Sequence, residues 1–139
     1  MSFEAIPTEL NLLSSKIIGL AIKVHSKLGP GLLESTYKEC LYYEICKEGH
    51  KVVKEKPIPL IYESVKLDLG YRIDLLVEDK LIVEIKAIEA LADIHTAQVL
   101  TYLKLSECRL CLLINFNVQL LKKGIKRFVR GFFNTKKQS

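Results

Sequence analysis

Residues 109–116, Arg-Leu-Cys-Leu-Leu-Ile-Asn-Phe, carry apolar side chains at consecutive rather than alternate positions. Successive side chains of a strand point to opposite faces, so this run predicts a central strand covered on both sides. Such a strand needs a layer above its sheet and a layer below it. The 139 residues, 49% of them hydrophobic, suffice for one layered domain of this kind. With 27% charged residues, seven Gly and four Pro, disordered and collagen-like chains are excluded. There is no internal repeat, linker-like tract or compositional break, so 1–139 reads as a single domain.

The covering layers are legible as helices. Pro7-Thr8 predicts a helix start with Thr8 as N-cap, and Leu10, Leu13, Ile17, Leu20, Val24 and Leu28 form one apolar stripe ending at Gly29-Pro30-Gly31. A second helix is predicted over 32–48, with Leu33, Tyr37, Cys40, Leu41 and Ile45 on its buried side and Gly49 as its stop. Residues 51–62, carrying Pro57 and Pro59, suit an edge or irregular strand. Segments 65–77 and 81–88 read as a hairpin around Glu78-Asp79-Lys80. A third helix over 92–105 leads to the apolar strand, and 125–129 adds a last edge strand. The order α-α-β-β-β-α-β-β predicts an α/β fold, a mixed β-sheet flanked by helices with one right-handed β-α-β crossover. The helix at about 8–28 stands as an N-terminal extension, and the C-terminus as a basic tail.

The uncharged stretch at 17–22, between Lys16 and Lys23, is too short to cross a bilayer and lacks the plan of a signal peptide. Four cysteines without such a signal predict free thiols and a cytoplasmic setting. The net charge of +5 is unevenly spread: 104–139 hold nine Lys/Arg against Glu107 alone, whereas 1–103 hold twelve against fifteen acids. A basic C-terminal third suits a polyanion such as nucleic acid, or a merely solvated surface.

The hairpin carries the chemistry. Ile73, Leu75 and Val77 alternate on one strand, as Leu81, Val83 and Ile85 do on the next. Burying both sets on one face pairs 77 with 81, 75 with 83 and 73 with 85. Asp74 then lies across from Glu84, with Lys86 further along the same side. Strands normally avoid like charges placed opposite each other, and a divalent cation would turn the repulsion into ligation. An arbitrary D…ExK is more often a surface cluster pairing its own charges, so companions matter. Glu34 adjoins the buried stripe of Tyr37 and Leu41, His95, Gln98 and Tyr102 share one face of the third helix, and His25 closes the first helix. Cys108-x-x-Cys111 is better read as buried thiols than as a metal site, since i and i+3 on a strand face apart. No phosphate-binding glycine loop or nucleophile elbow occurs.

The stretch Gly31-Leu32-Leu33-Glu34-Ser35-Thr36-Tyr37 resembles the signature of the GxxExxY proteins, a bacterial and archaeal branch of the PD-(D/E)xK nuclease superfamily. The resemblance extends through 25–31, 70–77, 82–87, 98–104, 113–116 and 121–127, covering about 10–132. It implies a restriction-endonuclease-like fold. It also implies catalytic roles for Asp74, Glu84 and Lys86, a helical acid at Glu34, and a QxxxY element at Gln98 and Tyr102. Ile73 stands where the superfamily's name puts proline.

Together these readings predict a metal-dependent nuclease hydrolysing phosphodiester bonds of nucleic acid, with DNA as the expected substrate. Asp74, Glu84 and the main-chain carbonyl of Ile85 would hold Mg²⁺ or Mn²⁺, with Glu34 as a further ligand directly or through water. Lys86 would activate water and offset charge. His25, Tyr37, His95, Gln98 and Tyr102 would position substrate or ligands. The alternatives are a non-cleaving nucleic-acid-binding accessory protein that keeps the fold, and a homo-oligomer joined through the first helix. The latter is compatible with cleavage.

Overall fold

The computed structural model describes residues 2–3, 6–131 and 133–134. The elements run β1 (Ser2–Phe3), α1 (Thr8–Leu28), α2 (Glu34–Lys47), β2 (Val52–Pro57), β3 (Leu60–Tyr62), β4 (Val65–Leu67), β5 (Arg72–Val77), β6 (Leu81–Lys86), α3 (Asp93–Ser106), β7 (Leu110–Asn115), a 3-10 turn (Leu121–Gly124), β8 (Ile125–Val129) and β9 (Phe133–Asn134). Five strands form the main sheet in the order β2-β5-β6-β7-β8. All pairs are antiparallel except β6–β7, whose parallel pairing is bridged by α3. This is a mixed α/β sheet flanked by helices, of the restriction-endonuclease-like kind.

The apolar run forms β7, and every one of its residues is buried. Alternate residues feed two separate cores. Leu110, Leu112 and Ile114 join Leu75, Val77, Leu81, Val83 and Ile85 beneath α1 and α2, through Leu10, Ile17, Ala21, Val24, Tyr37, Leu41 and Ile45. Cys111 and Leu113 join Leu76, Ile82 and the α3 residues Val99, Tyr102 and Leu103. The layer on each face thus follows from the period of two along one strand.

Several expectations need correction. The N-cap of α1 is Pro7, and Thr8 is already helical; no side chain caps this end. Helix α2 starts at Glu34 rather than at 32, and Leu33, expected on the buried side, is 73% exposed at the N-cap. The segment 51–62 is interrupted around Pro59: β2 is the sheet edge, where Pro57 is tolerated, but β3 pairs only with β4 in a separate two-stranded ribbon. Ile73 packs with Leu76 and Ile82 rather than with Leu75 and Val77. Cys108 and Cys111 fall in one buried cluster, because Cys108 precedes the strand, and Cys46 is exposed; all four thiols are free. The end of the basic tail, 135–139, lies outside the described residues.

Candidate active site

The hairpin register is as expected where it forms a ladder, with Leu75 opposite Val83 and Val77 opposite Leu81. The ladder then opens. On the other side of β5 the register passes from Lys54–Leu75 to Lys56–Ile73, skipping Glu55 and Asp74, and Glu55 has a left-handed φ of 55°. Asp74 therefore lacks ladder pairing on both sides, and side chains take its place. Its N–H donates to Glu84 Oε2 at 2.8 Å, while the N–H of Ile85 donates to Asp74 Oδ2 at 2.8 Å. Each carboxylate is thus fixed by the opposite strand's backbone.

The electrostatics follow from this placement. Glu84 is 3% exposed, and its pKa is pushed up to about 8 by burial and then by the charge of Asp74, against the Asp74 N–H and Lys86. Burial also raises Asp74, opposed by the Ile85 N–H and by Lys38. Glu34, half-buried at the first turn of α2, is raised by burial and by Asp74 and lowered by Lys86 and Lys38. Glu34 and the three hairpin residues therefore share one electrostatic neighbourhood at the open end of β5 and β6. From the opposite face α3 brings Tyr102, whose hydroxyl is raised by burial and by Glu84 and receives a 3.4 Å hydrogen bond from Gln98 Nε2.

The sequence profile of the PD-(D/E)XK nuclease superfamily matches residues 11–128, most of the chain. The chain belongs to the PD-(D/E)XK nuclease superfamily. Comparison with curated proteins finds no match, and neither does comparison with solved structures. PD-(D/E)XK members are usually nucleases, act on nucleic acid and generally use divalent metals. Among the described residues no helix is long and apolar enough to cross a membrane.

The donor set can be tested against a metal. Among the described residues no three His, Cys, Asp or Glu side chains converge into a group that could hold an ion. Two carboxylates, with the remaining positions left to water and phosphate, still fit Mg²⁺, which dehydrates reluctantly and seldom takes an all-protein cage.

The remaining expected residues divide. Tyr102 adjoins Glu84 and Gln98 bonds to Tyr102, but His95 is spent on the helix end, its Nδ1 accepting the Ala92 N–H at 2.9 Å. His25 is buried beside Phe116 and donates from Nε2 to the Val118 carbonyl at 2.7 Å. Tyr37 is fully buried, as its place on the helix stripe predicts, and it stacks on Phe116 at 4.6 Å rather than facing the carboxylates. Its hydroxyl donates to the Gly29 carbonyl at 2.6 Å and accepts the Leu32 N–H at 3.1 Å. Its work is to hold the turn that delivers Glu34: Gly29 and Gly31 have φ of 70° and 99°, which only glycine adopts freely.

Two polar groups near the site were missed. Lys38 ion-pairs with Glu55 and lies 3.8 Å from Asp74 Oδ1. Burial works against its charge, but the Glu55 hydrogen bond and the Asp74 charge outweigh burial and raise its pKa. The available signal was its place one helical turn after Glu34. Asn115, buried at the end of β7, accepts the Ile88 and Asn117 N–H groups and donates to the Ile88 carbonyl at 2.9 Å, bracing the chain just after Lys86.

Proposed function

We propose that this chain is a metal-dependent nuclease of the GxxExxY branch that hydrolyses phosphodiester bonds in DNA. The observation that carries the reading is the reciprocal lock of Asp74 and Glu84 at 2.8 Å to each other's strand, which holds the buried Glu84 carboxyl beside the half-buried Asp74 carboxyl. Asp74, Glu84 and the Ile85 carbonyl would hold Mg²⁺ or Mn²⁺, with Glu34 reaching the ion through water. The bound cation supplies Lewis acidity towards a phosphoryl oxygen and eases deprotonation of water. Hydrolysis joins the water oxygen to phosphorus, breaks one ester P–O bond and passes a proton to the leaving oxygen.

Within that chemistry Lys86 offsets the charge that builds on the phosphoryl oxygens and orients the attacking water. Lys38 tempers the repulsion among Glu34, Glu55 and Asp74 from the helix side. Tyr102 and Gln98 bound the site from α3. The presence of Glu34, Asp74, Glu84 and Lys86 together supports cleavage over mere binding, because a chain released from catalysis need not keep all four. Free thiols suit a cytoplasmic, reducing setting.

The test is cleavage of single- and double-stranded DNA and RNA with Mg²⁺ or Mn²⁺, and with EDTA. Wild type should cut DNA only with metal. Lys86→Ala should lower turnover about a hundredfold or more while leaving substrate affinity nearly unchanged, since its charge matters most in the transition state. Cutting in EDTA, or a fully active Lys86→Ala, would contradict the reading.

A further inference from the structure

The ribbon of β3 and β4 leaves the main sheet between β2 and β5, and its strands hydrogen-bond to each other rather than to that sheet. A lone two-stranded ribbon is marginally stable in water, yet this one exposes its apolar side chains. Ile61, Tyr62 and Val65 are 55%, 63% and 53% exposed, and at its root Tyr71 is 44% exposed. The register sets Tyr62 opposite Val65 and Ile61 opposite Lys66, so Tyr62 and Lys66 lie on different faces. Exposed apolar surface gathered on one small element marks an interaction site rather than scatter.

Its position says what it meets. The chain descends from β4 through Gly70 to Tyr71, whose carbonyl accepts the Ile58 N–H at 2.9 Å and closes the root. Three residues later stands Asp74. The Arg72 backbone also stands beside the Tyr102 hydroxyl, which adjoins Glu84. At about 3.3 Å per residue the tip stands roughly 10 Å beyond the root. The ribbon's own charges nearly cancel, Glu63 and Asp68 standing against Lys66 with Asp68 spent on Arg72 and on the Gly70 N–H, whereas Lys56 at the root makes no ion pair among the described residues.

We infer that the ribbon is a nucleic-acid arm, on which Tyr62 and Tyr71 stack unpaired bases of the strand that enters the Asp74–Glu84 site while Lys56 at the root meets its phosphates. The inference rests on the nuclease reading and deepens it: the preferred substrate is single-stranded or locally unpaired DNA. Bases offer their faces to a tyrosine only when they are out of the duplex stack.

Binding is measured in EDTA, where cleavage is off, by fluorescence anisotropy of labelled oligo(dT) of about 20 nucleotides and of a duplex of the same length. Wild type should bind the single strand more tightly. Tyr62→Ala and Tyr71→Ala should each weaken that binding about tenfold, and Tyr62→Phe and Tyr71→Phe should restore it, since stacking needs the ring and not the hydroxyl. Circular dichroism and thermal melting check that the Ala variants fold. Tighter binding of the duplex, single-strand binding unchanged in folded Ala variants, or ribbon variants that alter only self-association would overturn the arm. Tyrosine-dependent binding by a wild type that cuts nothing in Mg²⁺ or Mn²⁺ would overturn the nuclease reading and leave the arm standing.

Discussion

A carboxylate buried like that of Glu84, with Asp74 beside it, keeps its proton up to about pH 8 when no cation is present. The folded-state pKa lies above the unfolded value of about 4.5, so between these pH values the folded protein binds the extra proton. Stability is then highest below the unfolded pKa and falls as pH rises towards 8. In EDTA, urea unfolding of wild type should show a loss on the order of 2–4 kcal/mol from pH 5 to pH 8, with Asp74 acting in the same direction. Glu84→Gln keeps an acceptor for the Asp74 N–H and removes the titration, so its profile should be clearly flatter over that window. Parallel profiles for the two proteins would mean that Glu84 does not bear this burden. At this scale the sequence supplied the hairpin residues, because alternation assigns each side chain to a face. It also placed Tyr37 on the buried side of its helix, but it did not reveal that the hydroxyl would be bonded to Gly29 and Leu32, since those bonds depend on how the preceding glycine turn folds back.

The elements bring these residues together through backbone contacts that sequence periodicity does not encode. Helix α2 arrives with Glu34 leading because the glycine turn is pinned by Tyr37, and β6 releases Lys86 into a chain held by Asn115. Asn115 in turn lies against the 3-10 turn, where a Cβ on Gly124 would sit 2.2 Å from the Asn115 carbonyl oxygen. Backbone on backbone cannot yield cheaply, so Gly124→Ala should destabilise the fold by about 1–3 kcal/mol. Urea denaturation checks it, and an unchanged midpoint would show that the turn accommodates the methyl group. The helices and the buried strands were legible because long apolar periods identify them. The ribbon was not, because Leu60–Tyr62 and Val65–Leu67 read as continuations of their neighbours. Only the turn at Glu63, with a φ of 57°, separates them. The break of alternation at Ile73 was hidden for a related reason: it follows from side chains replacing the ladder around Asp74, a tertiary event.

At the scale of the whole molecule, the carboxylates lie at the open end of one hairpin and the cations of the last third lie on an edge of the same sheet. Lys122, Lys123 and Lys126 are all exposed, on the 3-10 turn and on β8. If they meet the polyanion, reversing all three charges should weaken DNA binding and reduce its salt dependence by up to about 0.9 in log–log slope per lost phosphate contact. An unchanged slope would place the nucleic acid elsewhere. The account as a whole stands on a cation shared by Asp74 and Glu84. Titration calorimetry with Mn²⁺ near pH 7 tests this most directly, comparing wild type with Glu84→Gln. Wild type should bind the ion and release a proton as Glu84 is forced to ionise, and Glu84→Gln should lose the binding. Equal binding by the two proteins would contradict the account.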